Sequence, residues 1–482
     1  MSVYPNSPCL SRRFRLVHAS FLEKDGLPFA EVLPAERVEE IFAEAGVDFA
    51  SDEECVYTPA VTLWAFLSQA LAKRELRSCM MAVSRVVVLL VALGREPCSK
   101  NTGAYCRARA KLPEVVIQRL ALEIGAGCEK TIPHGWLWHG RHVLLGDGTT
   151  VSMEDTPENQ AEYPQQRGQQ EGLGFPIARM VLLFSLATGM LCGMTMGPYS
   201  GKETGEAALF RELLEGVDPR TILLTDRYYC SYFLIALMSL GQRDFVGRLH
   251  QCRKTDFRPG ERLGKGDSVV EWLRPQRPDW MDAETYRQIP PSIRVRLVEV
   301  RVEQLGFRPE SFFVVTTLME SREYPSSEIA ALYRQRWLAE LDIRSVKTTL
   351  GMDVLRCKTP EMVRREVWTC LLAYNLIRKT ILQSAFEAGV SPRELSFTTA
   401  MQTVVSSLEL LAVLELAPCW DAHFAARLVA AQLASLPQQT VGNRPDRVEP
   451  RAVKRRPKPH PLLTKPRHEA RAELLGGAAK QA

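Results

Sequence analysis

From about residue 140 the chain changes texture, and this change constrains its fold more than any other feature. Short apolar runs at 142–145, 177–186, 191–196, 221–224 and 245–249 read as strands. Two helical patterns interrupt them: 202–216 joins the third strand to the fourth, and 231–241 joins the fourth to the fifth. Three meandering strands followed by crossover units make a mixed sheet with helices packed on it. Within this run, Met180 to Tyr199 carries no charge over twenty residues, long enough to span a bilayer. Its Ala-Thr-Gly-Met centre suits two buried strands joined by a turn, so no membrane span is expected.

That strand order is the one expected of a ribonuclease-H-like α/β core, and the remaining chain divides around it. Residues 1–130 read as helical, with apolar stripes at 60–72, 79–93 and 113–124. A run from Lys100 through Arg107 and Arg109 to Lys111 sets cations on a short helix with Tyr105, either a DNA-contacting surface or a plain solvated face. The core takes up 135–250 and resumes at 311–385. Between them, 251–310 is a β-rich insertion whose alternating run 293–302 marks a half-exposed strand. The second core part opens with a buried strand at 311–318, followed by a helix over 326–350 closed by Gly351. A helical region at 386–435 and a tail at 436–482 complete the chain.

Composition bounds the class of protein. With 482 residues, 46% hydrophobic and 24% charged, the chain is globular and multi-domain, which excludes a disordered, collagen-like or multi-span membrane protein. The formal charge of +5 is local: residues 441–482 hold eleven Lys or Arg against four Asp or Glu, and the preceding body is slightly acidic. Six prolines and little apolar periodicity make this tail a disordered segment by expectation. Its run Lys454, Arg455, Arg456 and Lys458 suits phosphate backbones, or serves solubility. The twelve cysteines are scattered without a Cys-x-x-Cys pair, which argues against a zinc site or disulfide framework. The first thirty residues lack a signal-peptide core, so a reducing cytoplasm is the expected location.

Three acids stand where elements would present them. Asp147 lies amid an apolar strand between two glycines, although an Asp-Gly pair also builds hairpin turns, and on this segment alone the turn is favoured. Asp226 ends a strand before a helix, where ligands gather in open α/β sheets and where a capping Asp is equally at home. Glu340 shares a helix pattern with Tyr333, Arg336 and Lys347. At about 100° per residue these four fall on one narrow stripe, so a phenol, a carboxylate and two cations share a face.

The spacing Tyr333-x2-Arg336-x3-Glu340-x6-Lys347 matches the Y-R-E-K signature of the insertion sequence 4 family of DDE transposases. Gly-Asp-Gly-Thr-Thr around Asp147 and Leu-Leu-Thr-Asp-Arg-Tyr-Tyr around Asp226 resemble that family's two aspartate motifs. The resemblance covers about residues 100–375, and three separated segments agree in order. It implies that Asp147, Asp226 and Glu340 are the catalytic acids and metal ligands. Three carboxylates brought together repel unless divalent cations sit between them, and hard oxygen donors suit two Mg²⁺ or Mn²⁺ ions. The implied chemistry is hydrolysis at the element ends and attack by the freed 3′-hydroxyl on target DNA, with no protein nucleophile. Arg336 and Lys347 would hold phosphates, and Tyr333 would hydrogen-bond a backbone oxygen. Arg227 touches phosphate or forms a surface ion pair. Trp272 and Trp280 of the insertion stack on a flipped base or pack in the core.

The implied partners are double-stranded DNA, as element ends and as target, and a second copy in a homodimer on DNA, with residues 1–130 binding the ends. No small-molecule cofactor and no membrane are expected. A silent DNA-binding relic would have lost a carboxylate, and all three are present. A tyrosine recombinase acting through Tyr333 would need a pocket of several Arg and His around the phenol, whereas here the phenol shares its stripe with Glu340.

Overall fold

The computed structural model describes residues 14–22, 24, 27, 29, 32–47, 49, 55–253, 257, 260–302, 310–416, 422–441 and 462–478. Among them, six α-helices precede the sheet: α1 (Arg15–Ala19), α2 (Ala35–Glu44), α3 (Pro59–Ala70), α4 (Cys79–Ala92), α5 (Gly103–Lys111) and α6 (Glu114–Lys130). α3 is apolar all round and buried along its whole length, so it is a core helix rather than a surface one. Its start is set by Thr58, whose hydroxyl accepts the Val61 N–H, and by Pro59 in the first turn. On α5, Tyr105 is wholly buried and Arg109 turns inward to Gln69, so only Lys100, Arg107 and Lys111 of the expected basic face point outward.

The core sheet follows as expected. β1 (Val143–Ser152) leads through α7 (Pro157–Glu162) to the hairpin of β2 (Ile177–Ser185) and β3 (Leu191–Pro198). Then come α8 (Glu206–Leu214), β4 (Ile222–Thr225), α9 (Tyr232–Leu240) and β5 (Asp244–Arg248). The strand order is β3-β2-β1-β4-β5. β2 lies antiparallel to β1 and β3, whereas β4 is parallel to β1 and β5. This is ribonuclease-H-like topology, and the uncharged stretch 180–199 is two strands and a turn within it.

The inserted strands depart from a separate β-rich unit. β6 (Glu261–Gly264), β7 (Asp267–Leu273) and β8 (Ser292–Val302), with α10 (Ala283–Gln288) before β8, join the core sheet edge to edge. The link is β9 (Glu310–Thr316), which pairs antiparallel with both β5 and β8 and makes one nine-stranded sheet. β8 is therefore flanked on both sides and mostly buried, not half exposed. Its Arg296 is fully buried, paired with Asp267 at 2.7 Å and donating to the carbonyls of Leu318 and Tyr324. The alternating charges of the sequence concealed this, because one of them is an internal ion pair.

The second core part supplies α11 (Ser326–Arg334), α12 (Trp337–Arg344) and α13 (Pro360–Ala388), which ends at Gly389 in the left-handed region. α14 (Phe397–Leu416) and α15 (Ala422–Ser435) complete the helical layer. α14 is long and apolar enough to cross a bilayer, with 56% of its most apolar window buried against the other helices. In the tail, α16 (Arg467–Ala478) is helical where disorder was expected, and the run 454–458 lies outside the described residues.

The helical layer meets the sheet where α6 crosses β3. A Cβ on Gly125 would stand 2.3 Å from the Leu191 carbonyl oxygen, so only glycine permits the approach. Buried Asn375 of α13 bridges the joint, donating to the carbonyls of Ala121 and Leu191 and accepting the Leu191 N–H at 2.8 Å. Gly125→Ala should therefore lower stability by roughly 1–3 kcal/mol, read as a shift of the denaturant midpoint at unchanged slope. An unchanged midpoint would mean that the helix and strand do not approach this closely.

Candidate active site

Asp147 sits in the middle of β1, opposite Leu182 of β2, so the strand continues through it and the hairpin turn is excluded. Alternation sends its side chain to one face and its glycine neighbours to the other. A Cβ on Gly146 would lie 2.8 Å from the Phe210 ring, and one on Gly148 would lie 2.5 Å from the Glu206 carboxyl carbon. The two glycines thus admit α8 on the far face, while Asp147 faces α12. Its carboxylate accepts the Gly148 N–H at 2.8 Å.

Asp226 follows β4, whose Thr225 pairs with Gly146, so the two aspartates stand one residue beyond a paired position on adjacent parallel strands. Asp226 also caps the short turn Arg227–Tyr229, accepting the Arg227 N–H at 2.6 Å. Capping and site placement are therefore both true of this residue.

The expected single helix over 326–350 is broken twice. At Gln335 and Arg336 the path tightens into i→i+3 bonds, Gln335 to Leu332, Arg336 to Tyr333, Leu338 to Gln335 and Ala339 to Arg336, at 2.9–3.1 Å. Ser345–Thr349 widens into a π turn. Neither Gly nor Pro marks either break in the sequence. The interruption leaves Arg336 directed at the acids: its guanidinium donates to Glu340 at 2.8 Å and lies 3.7 Å from Asp147. Tyr333 is buried against Phe312, ring centroids 5.6 Å apart. Lys347 falls in the π turn, where its charged neighbour is Asp353 rather than the acids.

The electrostatics join the three acids. Burial raises the Asp147 carboxyl to about 6; the Gly148 N–H and Arg336 oppose the shift, and Asp226 and Glu340 add to it. Burial works against the Arg336 charge, but Glu340, Tyr333, Asp226 and Asp147 outweigh it and hold the guanidinium above its ordinary value. Burial pushes the Tyr333 phenol up to about 12, so it keeps its proton at neutral pH. Burial pushes the Lys347 ammonium down, against Asp353.

Three other sequence candidates stand apart. Arg227 is exposed and reaches Gln251 at 3.2 Å. Trp280 lies under Arg211, 3.7 Å from guanidinium carbon to ring centroid, and edge-on to Phe233. Trp272 is buried beneath Arg253. Sequence reasoning missed two aromatics beside the acids: Trp337, next to Arg336, and Tyr228, two residues past Asp226, are 56% and 54% exposed. Their place inside the two motifs was the available signal.

Among the described residues, no three His, Cys, Asp or Glu side chains stand close enough as placed to hold a metal. The donor set nevertheless fits a divalent cation. Asp147, Asp226 and Glu340 are all hard-oxygen groups, and both Asp226 and Glu340 act electrostatically on the Asp147 carboxyl, whose rise is set mainly by burial.

A family model described as a transposase DDE domain matches residues 138–376. The chain is 28% identical over 410 residues to the transposase InsG of insertion sequence element IS4 from Escherichia coli (strain K12), covering 84% of this chain and 86% of that one. A shorter match, 38% over 71 residues, links it to the transposase of insertion sequence element IS421 from Escherichia coli, covering 15% and 19% of the two chains. Among solved structures, a piggyBac transposase synaptic complex with hairpin DNA aligns over 86% of this chain and 85% of that one, with a TM-score of 0.42 and 11% identity.

The Asp147 shift fixes a pH dependence. Its folded pKa lies above the unfolded value, so the stability it contributes is complete below 3.8 and lost as pH rises through about 6. Asp147→Asn should flatten the fall of stability across that window and raise stability at pH 7 by on the order of 1 kcal/mol, measured by denaturant titration at several pH values. A parallel pH profile for the two proteins would place Asp147 in water.

Proposed function

This chain belongs to the DDE transposases of the insertion sequence 4 type and is a DNA transposase, and from that premise we propose that Asp147, Asp226 and Glu340 are the acids with which it cuts and joins DNA. The observation that carries the reading is electrostatic convergence. Acids from β1, from the end of β4 and from α12 all act on the charge of Arg336, and two of them touch it.

The DDE domain implies divalent-metal dependence in general, and we assign two Mg²⁺ or Mn²⁺ ions to the three carboxylates on the strength of their hard oxygens. Metal bound there would supply Lewis-acid activation of the attacking water or 3′-hydroxyl and neutralise charge on the leaving oxygen.

The protein groups do the rest. With cations on the acids, Arg336 is free to turn its planar fork to a DNA phosphate, which it matches in two-point geometry. Tyr333 keeps its proton and donates to a backbone oxygen. A phenol held protonated to about 12 is the opposite of an activated nucleophile, which weighs against a covalent tyrosine mechanism. Lys347, with its charge set back from the acids, takes a phosphate further along the strand, and exposed Arg227 takes one beside Asp226. Trp337 and Tyr228 are already open at the rim and are the aromatics best disposed to stack an unpaired base. Trp280 takes that role only after Arg211 leaves its face.

The substrate is double-stranded DNA, as element end and as target. Joining two ends requires that both be held at once, which a homodimer on DNA provides. The outward cations of α5 and the tail are the assigned contacts for end DNA and for nonspecific DNA. Retention of all three acids favours turnover over a silent relic.

Asp147→Ala, Asp226→Ala and Glu340→Ala should each abolish nicking of end DNA while leaving gel-shift binding near the parent level, because metal ligands act in chemistry and not in docking. Any one that still nicks would be removed from the site. Lys347→Ala should slow cleavage roughly 10- to 100-fold, the value of one charge-assisted hydrogen bond. A loss as complete as that of the acids would place Lys347 among them. In the same assay, Trp337→Ala should impair cleavage more than Trp280→Ala, and the reverse order would return base stacking to the insertion.

A further inference from the structure

Asp342 lies two residues beyond Glu340 on α12 and faces the other way. Its side chain is 1% exposed, whereas that of Glu340 is 37% exposed. Its carboxylate accepts Arg378 at 2.5 Å, both oxygens accept Arg393 at 2.9 and 2.8 Å, and the Tyr374 hydroxyl lies 3.2 Å away. The partners continue outward. Arg393 donates to the carbonyls of Leu186 (2.7 Å) and Ser185, and Tyr374 donates to the Gly189 carbonyl at 2.7 Å. Gly189 has φ +75, and a Cβ there would stand 2.7 Å from the Arg378 guanidinium carbon, so the turn between β2 and β3 is shaped around this cluster.

α12 needs such an anchor. It is eight residues long, preceded by the tight turn at Gln335–Arg336 and followed by the π turn, so neither end is continued by a regular helix. Its two fully buried residues are Ala339 and Asp342; Leu338 and Ile343 pack on the core only in part, so Asp342 is the one fully buried side chain of the helix that makes directional contacts. These contacts tie α12 to the β2–β3 turn, and β2 pairs along its length with the strand that carries Asp147. Burying one carboxylate with two guanidinium groups is a poor way to gain stability alone, since an apolar replacement of similar shape serves as well or better.

We propose that the cluster of Asp342, Arg378 and Arg393 is the positioning device of the site: it sets the rotation of α12 and thereby the placing of Glu340 against Asp147. The inference rests on Glu340 being a site acid. Asp342 itself touches neither DNA nor metal.

The test is metal binding by the DNA-free full chain, followed as Mn²⁺ titrations by electron paramagnetic resonance, alongside melting temperature, gel-shift binding and cleavage. Asp342→Asn should weaken Mn²⁺ binding at least 10-fold and slow cleavage at low metal, with recovery at high Mn²⁺ and unchanged DNA binding. Arg393→Lys keeps the charge on Asp342 and drops the fork that reaches Ser185 and Leu186; it should show the same pattern at about one-third the size, and it decides the question if Asp342→Asn fails to fold. A lowered melting temperature with a parental Mn²⁺ titration in either folded variant would overturn the proposal and leave the cluster structural. Glu340→Gln is the control: if it binds Mn²⁺ as the parent does, the assignment of Glu340 fails first, and the positioning role falls with it.

Discussion

Carboxylates gathered at one end of a sheet repel one another, and Arg336 is the cation that makes this gathering tenable. It lies against Asp147 and Glu340 and feels the charge of Asp226, so one guanidinium offsets much of the field of three acids. Burial nevertheless keeps the Asp147 carboxyl raised. An arginine, with its fixed fork, suits contact with two carboxylates at once better than a lysine would.

Backbone geometry decides where that arginine can point. On a continuous helix its direction would follow from the 3.6-residue period, but the i→i+3 turn at Gln335 and Arg336 re-aims it, and the π turn does the same for Lys347. Irregular turns of this kind are costly unless packing elsewhere holds them. Here α11 is held by Tyr333 on Phe312, and α12 by Asp342.

Much of the scaffold is legible in the sequence because strand and helix periods are local. The runs behind β1 to β5 and the crossovers α8 and α9 are visible as patterns, and the aspartates fall at strand positions those patterns define. What was hidden is long-range. The glycines beside Asp147 are visible, but that they admit Phe210 and Glu206 requires knowing which helix crosses the far face. Arg296 reads as a solvated charge in an alternating strand, and its burial follows only once β7 and β9 flank β8. Trp280 reads as an available aromatic, yet Arg211 of a helix nearly seventy residues away covers it. Asp342 stands within the signature helix and carries no local mark at all, because its partners lie some 36 and 51 positions on.

The sharing of β9 changes how the insertion relates to the site. A strand paired on one side with β5 and on the other with β8 cannot move without disturbing both, so β6 to β8 are an extension of the core sheet and not a flap hung from it. Arg296 strengthens the tie by fastening β8 to the carbonyls of Leu318 and Tyr324 in the segment that leads into α11. Phe312 of β9 then packs on Tyr333, and Arg248 at the end of β5 lies over the same Phe312 ring, 4.4 Å from its centroid. The chain therefore returns from its insertion along a strand whose pairing, packing and ion pair all bear on the helix pair that carries Tyr333, Arg336 and Glu340. The long excursion between Asp226 and Glu340 is compatible with a compact site because its last strand is built into the same sheet as its first acid.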